Sequence, residues 1–247
     1  MKEMAWQILV RVFRLIPGPI RRQCCRLAFH AAAAGKPKAG LLELLDDYDQ
    51  LRNQIDKCGI RYEGGIHPKH RLTAYHRFFV ERIAPGARVL DVGCGYGAVA
   101  ASLAEAGAIV TGVDIDAESL RAARERFVHA NLRFVAGDAT RELPDERFGV
   151  IVLSNVLEHL EHRVVFLRKL ADTFGPCRFL IRLPMINRDW LVPLKQELGV
   201  PFYSDPGHYT EYTEATFRAE MAAAGLAVGH VQIQWGEIWA EVNACRA

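Results

Sequence analysis

The C-terminal two thirds of the chain alternates between two hydrophobic patterns. Short apolar runs typical of buried strands occur at 88–92, 109–113, 132–136, 150–154, 178–183, 227–234 and 238–242. Between them, apolar residues recur at helical spacing over 98–106, 117–130, 163–174 and 214–224. Because strands that alternate with helices form a mostly parallel sheet covered on both faces, the pattern predicts an α/β fold.

The first third of the chain has only helical periodicity. Glycine and proline interrupt it near residues 17–19, 35–37 and 64–65. The pattern predicts helices over 4–15, 20–34, 41–57 and 72–83. We therefore expect a helical extension over residues 1–60 and an α/β domain over residues 61–247.

The positive charge of the chain is concentrated in this extension. The whole chain has a formal net charge of +2, whereas residues 1–38 hold eight Lys/Arg and one acid. So small a net charge disfavours a general nucleic-acid-binding protein. Apolar residues surround the helix predicted at 4–15, whose only charges are Arg11 and Arg14, so it either packs against protein or lies at a membrane surface. The basic excess favours peripheral contact of residues 1–38 with an anionic membrane or an acidic partner.

The number and spacing of the cysteines indicate the redox state of the compartment in which the protein lies. The six of them form no CxxC pair and no spacing typical of a disulfide framework. Cys94 and Cys177 lie in apolar strand-like contexts, where a free thiol is usual. The sequence therefore predicts a reducing cytoplasm, at the inner face of a membrane if the extension binds one, and carries no indication of an oligomeric state.

A strand–turn–helix motif at residues 89–97, VLDVGCGYG, suits a ligand site. Glycine permits close approach of the backbone and positive φ, and the helix that follows offers free N–H groups. A structural turn and a dinucleotide site are the alternatives. The GxGxG spacing is one residue shorter than GxGxxG, and an amino acid joined to a nucleoside requires less room than a pyrophosphate.

Two further acids follow the next two predicted strands. Asp114 is placed to accept both hydroxyls of a ribose, and Asp138 is placed to accept the exocyclic amine of adenine. A lone acid at such a position is more often a turn or cap residue. With Asp91, three strand-end acids in order favour a nucleoside-containing ligand.

In these motifs the chain resembles the class I S-adenosylmethionine (SAM)-dependent methyltransferases, over about residues 60–245. The resemblance implies a Rossmann-like, seven-stranded sheet whose last strand is antiparallel. It implies that SAM is the cofactor, with Asp114 on its ribose and Asp138 on its adenine. The residues implied for its methionine part are Asp91, Gly93, Gly95 and Gly97. Neighbouring residues implied to contact the cofactor are Ile115, Ala139, Ser154 and Asn155.

The fourth predicted strand runs into the sequence SNVLEHLEH at residues 154–162. If a helical turn begins here, Asn155, Glu158 and His159 share one face. This set of groups could bind a divalent cation, provide a general base with its orienting partner, or form a solvated helix start. All three interpretations are open from the residues alone.

Residues 155–159 resemble the Glu-x-x-Glu-His motif of one methyltransferase subgroup. That subgroup includes the ubiquinone-pathway catechol O-methyltransferases and the small-RNA 2′-O-methyltransferases. The resemblance implies a divalent cation such as Mg²⁺ on Glu158, His159 and His208, the three residues that we also expect to be catalytic. Asn155 departs from the motif, which has Glu there, and the loss of one carboxylate weakens a site for a hard cation.

Two regions around this core complete the prediction. His70-Arg71-Leu72 resembles the same ubiquinone-pathway enzymes, so Arg71 or His76 is expected to pair with the SAM carboxylate, although an exposed basic helix face is an equal alternative. Residues 184–212, rich in polar and aromatic side chains, are expected to form a loop-rich substrate lid.

We expect O-methylation of a small molecule or a glycan. The alternatives are a membrane-associated quinone or catechol O-methyltransferase and a SAM-binding module without transfer activity.

Overall fold

The structure is a computed structural model that describes residues 2–244, so Cys245, one of the six cysteines discussed above, lies outside the described residues. The chain divides into two compact units, Met1–Pro68 and Lys69–Ala247. None of the described helices combines the length and the apolarity that crossing a bilayer requires.

The first unit is helical, as predicted. Its helices are α1 (Lys2–Leu15), α2 (Gly18–Ala34) and α3 (Pro37–Tyr62). Gly40 of α3 lies so close to the carbonyl oxygen of Ala32 in α2 that any β-carbon would collide with it. The predicted boundary between residues 60 and 61 falls within α3, which continues to Tyr62.

The second unit is a seven-stranded sheet between helices. Its strands are β1 (Arg88–Val92), β2 (Ile109–Asp114), β3 (Leu132–Ala136), β4 (Val150–Ser154), β5 (Arg178–Pro184), β6 (Leu226–Gln234) and β7 (Glu237–Ala244). The helices are α4 (Lys69–Thr73), α5 (His76–Val80), α6 (Ala98–Glu105), α7 (Ala117–Arg126), α8 (Arg163–Phe174), α9 (Leu191–Leu198) and α10 (Glu214–Ala223). The strand order is β3-β2-β1-β4-β5-β7-β6. The pairs among β1 to β5 are parallel, and β7 is antiparallel to both its neighbours. The predicted fold class is confirmed.

Alternate residues of each central strand enter two separate cores. In β4, Ile151 and Leu153 pack with residues of α8 and α10, whereas Val152 packs with residues of α5, α6 and α7. Because both faces of β4 are buried, its sequence is a continuous apolar run rather than an alternating one. Helices therefore cover both faces of the sheet.

Three element predictions were wrong in detail. The single helix predicted over 72–83 is two short helices, broken at Ala74, whose φ is +50°. The break allows the hydroxyl of Tyr75 and Nε2 of His76 to lie 3.0 and 2.9 Å from Nδ1 of His70. The helix predicted over 117–130 ends at Arg126, because Phe127 is extended. The segment 184–212 contains the helix α9 rather than loop alone.

Candidate active site

The site lies where the strand order reverses. From β1 the chain goes to β2 on one side, and β4 later adds on the other side, so the loops after β1 and β4 diverge. In open α/β sheets the crevice at such a point, at the carboxyl ends of the strands, is where ligands bind. Apart from Arg71 on α4, the predicted cofactor residues lie at or just after the carboxyl ends of β1, β2, β3 and β4, so the parallel pairing brings them to this edge.

The glycine turn after β1 has the left-handed backbone that its sequence predicted. Gly93, Gly95 and Gly97 have φ values of +65°, +50° and +76°. A β-carbon at Gly97 would lie 2.5 Å from the ring of Phe134, and one at Gly93 would lie 2.8 Å from Val156. At Gly95 no atom lies within 4 Å of that position. Gly93 and Gly97 are therefore fixed by packing as well as by φ, whereas Gly95 borders open space.

Asp91 is a buried acid with spare hydrogen-bonding capacity. Its side chain is 2% exposed, and Oδ2 has no hydrogen-bond partner among the described residues. Burial and the nearby charge of Asp114 raise the pKa of Asp91 to about 8. A buried carboxyl of this kind fits a cationic group such as the amino group of an amino acid, which would stabilise its ionised form.

Asp114 at the end of β2 connects its strand to the glycine turn. Its Oδ2 accepts a hydrogen bond from the backbone N–H of Gly95 at 2.7 Å, and its Oδ1 accepts one from the N–H of Asp116 at 2.9 Å. Each carboxylate oxygen can accept a second bond, so both remain able to receive ribose hydroxyls. Ile115, beside it, is 73% exposed and offers an apolar surface at the same edge.

Asp138 follows β3 and forms a tight local turn. Its Oδ1 accepts hydrogen bonds from the backbone N–H and the hydroxyl of Thr140, and Arg141 lies 3.2 Å from Oδ2. The hydrogen bond from the hydroxyl of Thr140 is the main reason that the pKa of Asp138 lies below its usual value. Asp138 is thus a turn residue whose carboxylate can still accept an amine, and Ala139 next to it is buried.

The end of β4 differs from the predicted helical turn. Asn155 has φ of +58°, in the left-handed region that asparagine tolerates, and a single 3₁₀ turn follows over Leu157–His159. Asn155 is therefore outside the turn that carries Glu158 and His159, and the expectation that all three share a helix face was wrong. Its Oδ1 is buried without a partner among the described residues. Ser154 is half-buried, and its Oγ lies 3.4 Å from Nη1 of Arg182.

Glu158 is the second buried acid of the site. The residue is fully buried, and neither carboxylate oxygen has a hydrogen-bond partner in the part of the chain that the structure describes. Burial raises the pKa of Glu158 to about 7, and the positive charge of Arg182 opposes the shift. An orphaned carboxylate costs stability unless a cation or a proton donor reaches it.

Two histidines meet this carboxylate. Glu158, His159 and His208, which we call the Glu158 cluster, each offer a ligand atom, and these atoms lie within 4.8 Å of one another. The imidazole centroids of His159 and His208 are 4.6 Å apart. Nδ1 of His159 lies 3.3 Å from the carbonyl oxygen of Gly207, so that nitrogen is the protonated one. Burial and the neighbouring His208 hold the pKa of His159 below its usual value.

Glu211 orients His208 and was missed by the sequence analysis. The Oε1 of Glu211 accepts a hydrogen bond from Nδ1 of His208 at 2.9 Å and one from the hydroxyl of Ser204 at 2.6 Å, and Arg188 pairs with Oε2. Burial would raise the pKa of Glu211, but these hydrogen bonds and the charge of Arg188 outweigh it and lower the pKa. An ionised Glu211 keeps the proton of His208 on Nδ1 and leaves the lone pair on Nε2. The only local signal was an acid three residues after a histidine.

A buried arginine on β5 borders the cofactor side and was also missed. Arg182 is 3% exposed, pairs with the carboxylate of Glu237 on β7 and stacks 3.9 Å above the ring of Tyr75. Trp239 donates to the same carboxylate at 3.0 Å. The signal was a charge inside the apolar run FLIRL, but its partner lies 55 residues along the chain.

The region predicted to hold the SAM carboxylate is more constrained than its sequence indicated. His76 has Nδ1 2.8 Å from Oγ of Ser102 and Nε2 2.9 Å from His70. Burial and the charge of Arg182 lower the pKa of His76 to about 4, so His76 is neutral near pH 7 and cannot supply a positive charge. Arg71 is exposed on α4, and its role toward SAM stays a prediction.

The two ends of the lid segment, residues 184–212, pair with each other. Met185 and Tyr212 form an isolated β-bridge, with the N–H of Ile186 donating to the carbonyl of Tyr212 at 2.9 Å. The N–H of Tyr209 donates to the carbonyl of Glu158 at 2.8 Å, which ties the segment to the Glu158 cluster. Trp190 is 71% exposed.

Comparison with known proteins identifies the family. The sequence profile described as "Methyltransferase domain" matches residues 90–176. The ubiquinone biosynthesis O-methyltransferase of Paracidovorax citrulli is 33% identical over 171 residues, which cover 66% of this chain and 71% of that protein. The chain belongs to the class I SAM-dependent methyltransferases.

Other relatives of this methyltransferase match more narrowly. An uncharacterized methyltransferase of Mycobacterium tuberculosis is 44% identical over 89 residues, covering 36% of this chain, and the match spans only 45% of that relative's length. Magnesium protoporphyrin IX methyltransferase from Synechocystis, solved with bound SAH, shares the fold with a TM-score of 0.56 at 20% identity, over 70% of this chain and 81% of that one. The mitomycin 7-O-methyltransferase MmcR has a TM-score of 0.55 at 21% identity, over 70% and 54% of the two chains.

The glycine turn allows a test of how much backbone conformation and packing each contribute to the stability of this methyltransferase. Gly97→Ala should lower the free energy of unfolding by about 2–5 kcal/mol, because it combines a left-handed φ with a collision against Phe134. Gly95→Ala, which carries only the φ cost, should lower it by about 1–2 kcal/mol. Chemical denaturation measures both, and equal losses would contradict the difference in packing.

The buried carboxylate of Glu158 should make stability depend on pH. Its pKa of about 7 lies above the usual 4.5, so the folded protein holds a proton that the unfolded chain releases, and stability is lost as pH rises from about 4.5 to 7. At pH 8, Glu158→Gln should be more stable than the parent protein by up to about 3 kcal/mol, with little difference at pH 4. The exposed Glu161→Gln is the control. A Glu158→Gln effect that is independent of pH would show that the carboxyl is not strained by burial.

Proposed function

We propose that this methyltransferase transfers the methyl group of SAM to a hydroxyl of a small molecule or a glycan. The observation that carries the proposal is the Glu158 cluster just after β4, where ligand atoms of a buried carboxylate and two imidazoles lie within 4.8 Å of one another and the carboxylate has no hydrogen-bond partner among the described residues. Such groups serve removal of a proton from a hydroxyl or binding of a cation that acidifies it. Several relatives are ubiquinone biosynthesis O-methyltransferases, and the structurally similar MmcR is a mitomycin 7-O-methyltransferase, which is consistent with an oxygen acceptor.

The residues of the glycine-turn edge fit SAM. The buried, unpartnered Oδ2 of Asp91 would hold the amino group, Asp114 the ribose hydroxyls and Asp138 the adenine amine. The residues that would border the cofactor beside them are Ile115, Ala139, Ser154 and Asn155. When bound, SAM supplies a methyl group on a sulfonium, which is activated for in-line displacement.

The chain itself must align the acceptor and take its proton. Nε2 of His208 is the best-prepared base, because Glu211 holds the proton on Nδ1. Glu158, with its pKa of about 7, is a second acceptor that is partly ionised near neutral pH. One of these groups would accept the proton of the hydroxyl, whose oxygen would replace the sulfonium sulfur on the methyl carbon, with S-adenosylhomocysteine as the leaving group.

A divalent cation on the Glu158 cluster is the other role that we infer for it, as in the Glu-x-x-Glu-His subgroup. The donor set, one carboxylate and two imidazoles, suits Mn²⁺ or Zn²⁺ better than Mg²⁺, which prefers oxygen ligands. Glu211 would then act through His208 as the carboxylate that orients a ligating imidazole. A bound cation would also remove the cost of burying Glu158.

The acceptor class is proposed from the lid segment. Its exposed aromatic side chains, Trp190 and Tyr209, are 71% and 59% exposed and could stack on a sugar or another ring.

A membrane-associated quinone or catechol O-methyltransferase is the second candidate, favoured by the ubiquinone relatives and by the basic extension. Arg71, exposed on α4, remains our candidate for the SAM carboxylate.

We propose a reducing cytoplasm as the compartment of the reaction. The cysteines within residues 2–244 are all free thiols. Burial raises the pKa of Cys177 to about 11 and also raises that of Cys94, which keeps both in the unreactive thiol form.

The cofactor assignment predicts that Asp114→Ala binds SAM at least about tenfold more weakly, because two charge-assisted hydrogen bonds to the ribose are lost. Titration calorimetry measures the affinity. Asp116→Ala is the matched control, since Asp116 caps α7 and is not expected to contact SAM. Unchanged affinity in folded Asp114→Ala would remove this acid from the cofactor site.

The cluster assignment predicts that His159→Ala and His208→Ala each lower turnover by about 100-fold or more while SAM affinity stays nearly unchanged. The exposed His162→Ala is the control and should retain activity. EDTA followed by Mn²⁺, Zn²⁺ or Mg²⁺ separates the two roles, because only a metal site would lose activity reversibly and gain thermal stability on metal addition. Full activity of both histidine variants would exclude the cluster from the mechanism.

The experiment that tests the function as a whole is a labelled-SAM transfer screen over glycans, quinols, catechols and amines. Transfer to a hydroxyl acceptor is the expected result. Transfer to amines alone would contradict O-methylation. SAM binding with no transfer to any acceptor would favour the binding-module alternative.

A further inference from the structure

Helix α1 is amphipathic, with a narrow polar stripe and a wide apolar face. Gln7, Arg11 and Arg14 follow one another at intervals of four and three residues, so they share a stripe about 60° wide. From Met4 to Leu15 the other large side chains are apolar and exposed, from 41% at Val10 to 83% at Leu15. The large apolar residues of this face are Met4, Trp6, Ile8, Leu9, Val10, Val12, Phe13 and Leu15.

The charge around this face is mostly positive. Residues 1–42 hold eight Lys/Arg and one acid, Glu3, which lies in the first turn of α1. Arg22 and Arg26 are exposed one turn apart on α2, close in sequence to the exposed apolar residues Ile20 and Leu27. The next acids, which begin at Glu43, belong to α3.

The apolar surface of α1 and the positive charge around it together favour one kind of binding partner. A patch of this size rarely stays exposed to water without a role. An acidic polypeptide would neutralise the arginines but leave the apolar arc uncovered. A second copy of α1 would cover the arc but add to the positive charge. An anionic phospholipid surface satisfies both, because acyl chains take the apolar face while phosphates pair with the arginines.

We propose that α1 lies in the interface of an anionic phospholipid bilayer, with Gln7, Arg11 and Arg14 at the headgroups and the arc that contains Leu9 and Phe13 among the acyl chains. The arginines of α2 add attraction to the same surface. This binding does not depend on which acceptor the enzyme methylates, and it is measurable without activity.

The full-length protein should co-sediment with phosphatidylglycerol–phosphatidylcholine vesicles and only weakly with pure phosphatidylcholine. Binding should weaken as salt rises. Arg11→Glu/Arg14→Glu should reduce partitioning at least about 30-fold, because each basic residue near an anionic leaflet contributes about a factor of five. Leu9→Gln/Phe13→Gln, which leaves the charge unchanged, should also reduce it strongly. Tryptophan emission should shift to shorter wavelength on binding, and Trp6→Phe should lose most of that shift yet still bind.

Matched controls separate this surface from general charge. Arg52→Glu/Lys57→Glu changes the net charge equally on exposed positions of α3 and should bind like the parent protein. Circular dichroism and SAM binding should be unchanged in every variant. Absence of binding to anionic vesicles at low salt would overturn the proposal, as would equal losses in the α1 and α3 charge variants. Binding to poly-glutamate but not to vesicles would overturn it in favour of an acidic partner.

Discussion

The divergence of the chain on the two sides of β1 is the constraint on which the site depends. β2 and β4 both pair with β1 in parallel, so the loops that leave β1 and β4 turn in opposite directions and leave a crevice between them. The glycine turn enters that crevice and is held there by backbone contacts to the neighbouring strand, since the N–H groups of Gly93 and Cys94 both donate to the carbonyl of Val113. Asp114 holds the N–H of Gly95 in the same way. The glycine turn and Asp114 are therefore positioned by the register of β1 and β2, whereas Asp138 is held by its own turn.

Two buried carboxyls lie close to the crevice with raised pKa values. Asp91 is in β1 and Glu158 is in the turn that follows the adjacent β4. Among the described residues, Oδ2 of Asp91 and both carboxylate oxygens of Glu158 have no hydrogen-bond partner. A protein that only had to be stable would replace such groups, because burying them without partners costs free energy. The proposed function accounts for them, since an ammonium group would pair with Asp91 and a metal ion or an acceptor proton would reach Glu158. A cation that binds at either carboxyl would release a proton, which would couple ligand binding to pH.

The strands and the strand-end acids could be predicted from the sequence because both depend on local pattern. Apolar runs bounded by glycine and acids mark the ends of β1 and β2 without knowledge of the partner strands. The features that were missed depend on distant contacts. The helix break at Ala74 allows contacts among His70, Tyr75 and His76. Helix propensity alone favours a continuous helix there, so the break could not be predicted from the local sequence. Glu211 acquires its role only when the lid brings His208 back to Glu158. The roles toward SAM and the acceptor remain predictions, since they concern molecules that the chain alone does not contain.

The lid segment leaves the sheet and returns to it at nearly the same point, where Met185 bridges to Tyr212. The residues between these two leave and rejoin the sheet there, whereas the predicted cofactor residues from Asp91 to Asn155 all precede the segment in the chain. A change in the length or sequence of the segment would therefore leave the strand ends before it in place. His208 and Glu211, near the returning end, are the part of the segment that the proposed chemistry requires. Under that proposal, one scaffold could keep its site for the methyl donor and take a new acceptor by the exchange of one peptide.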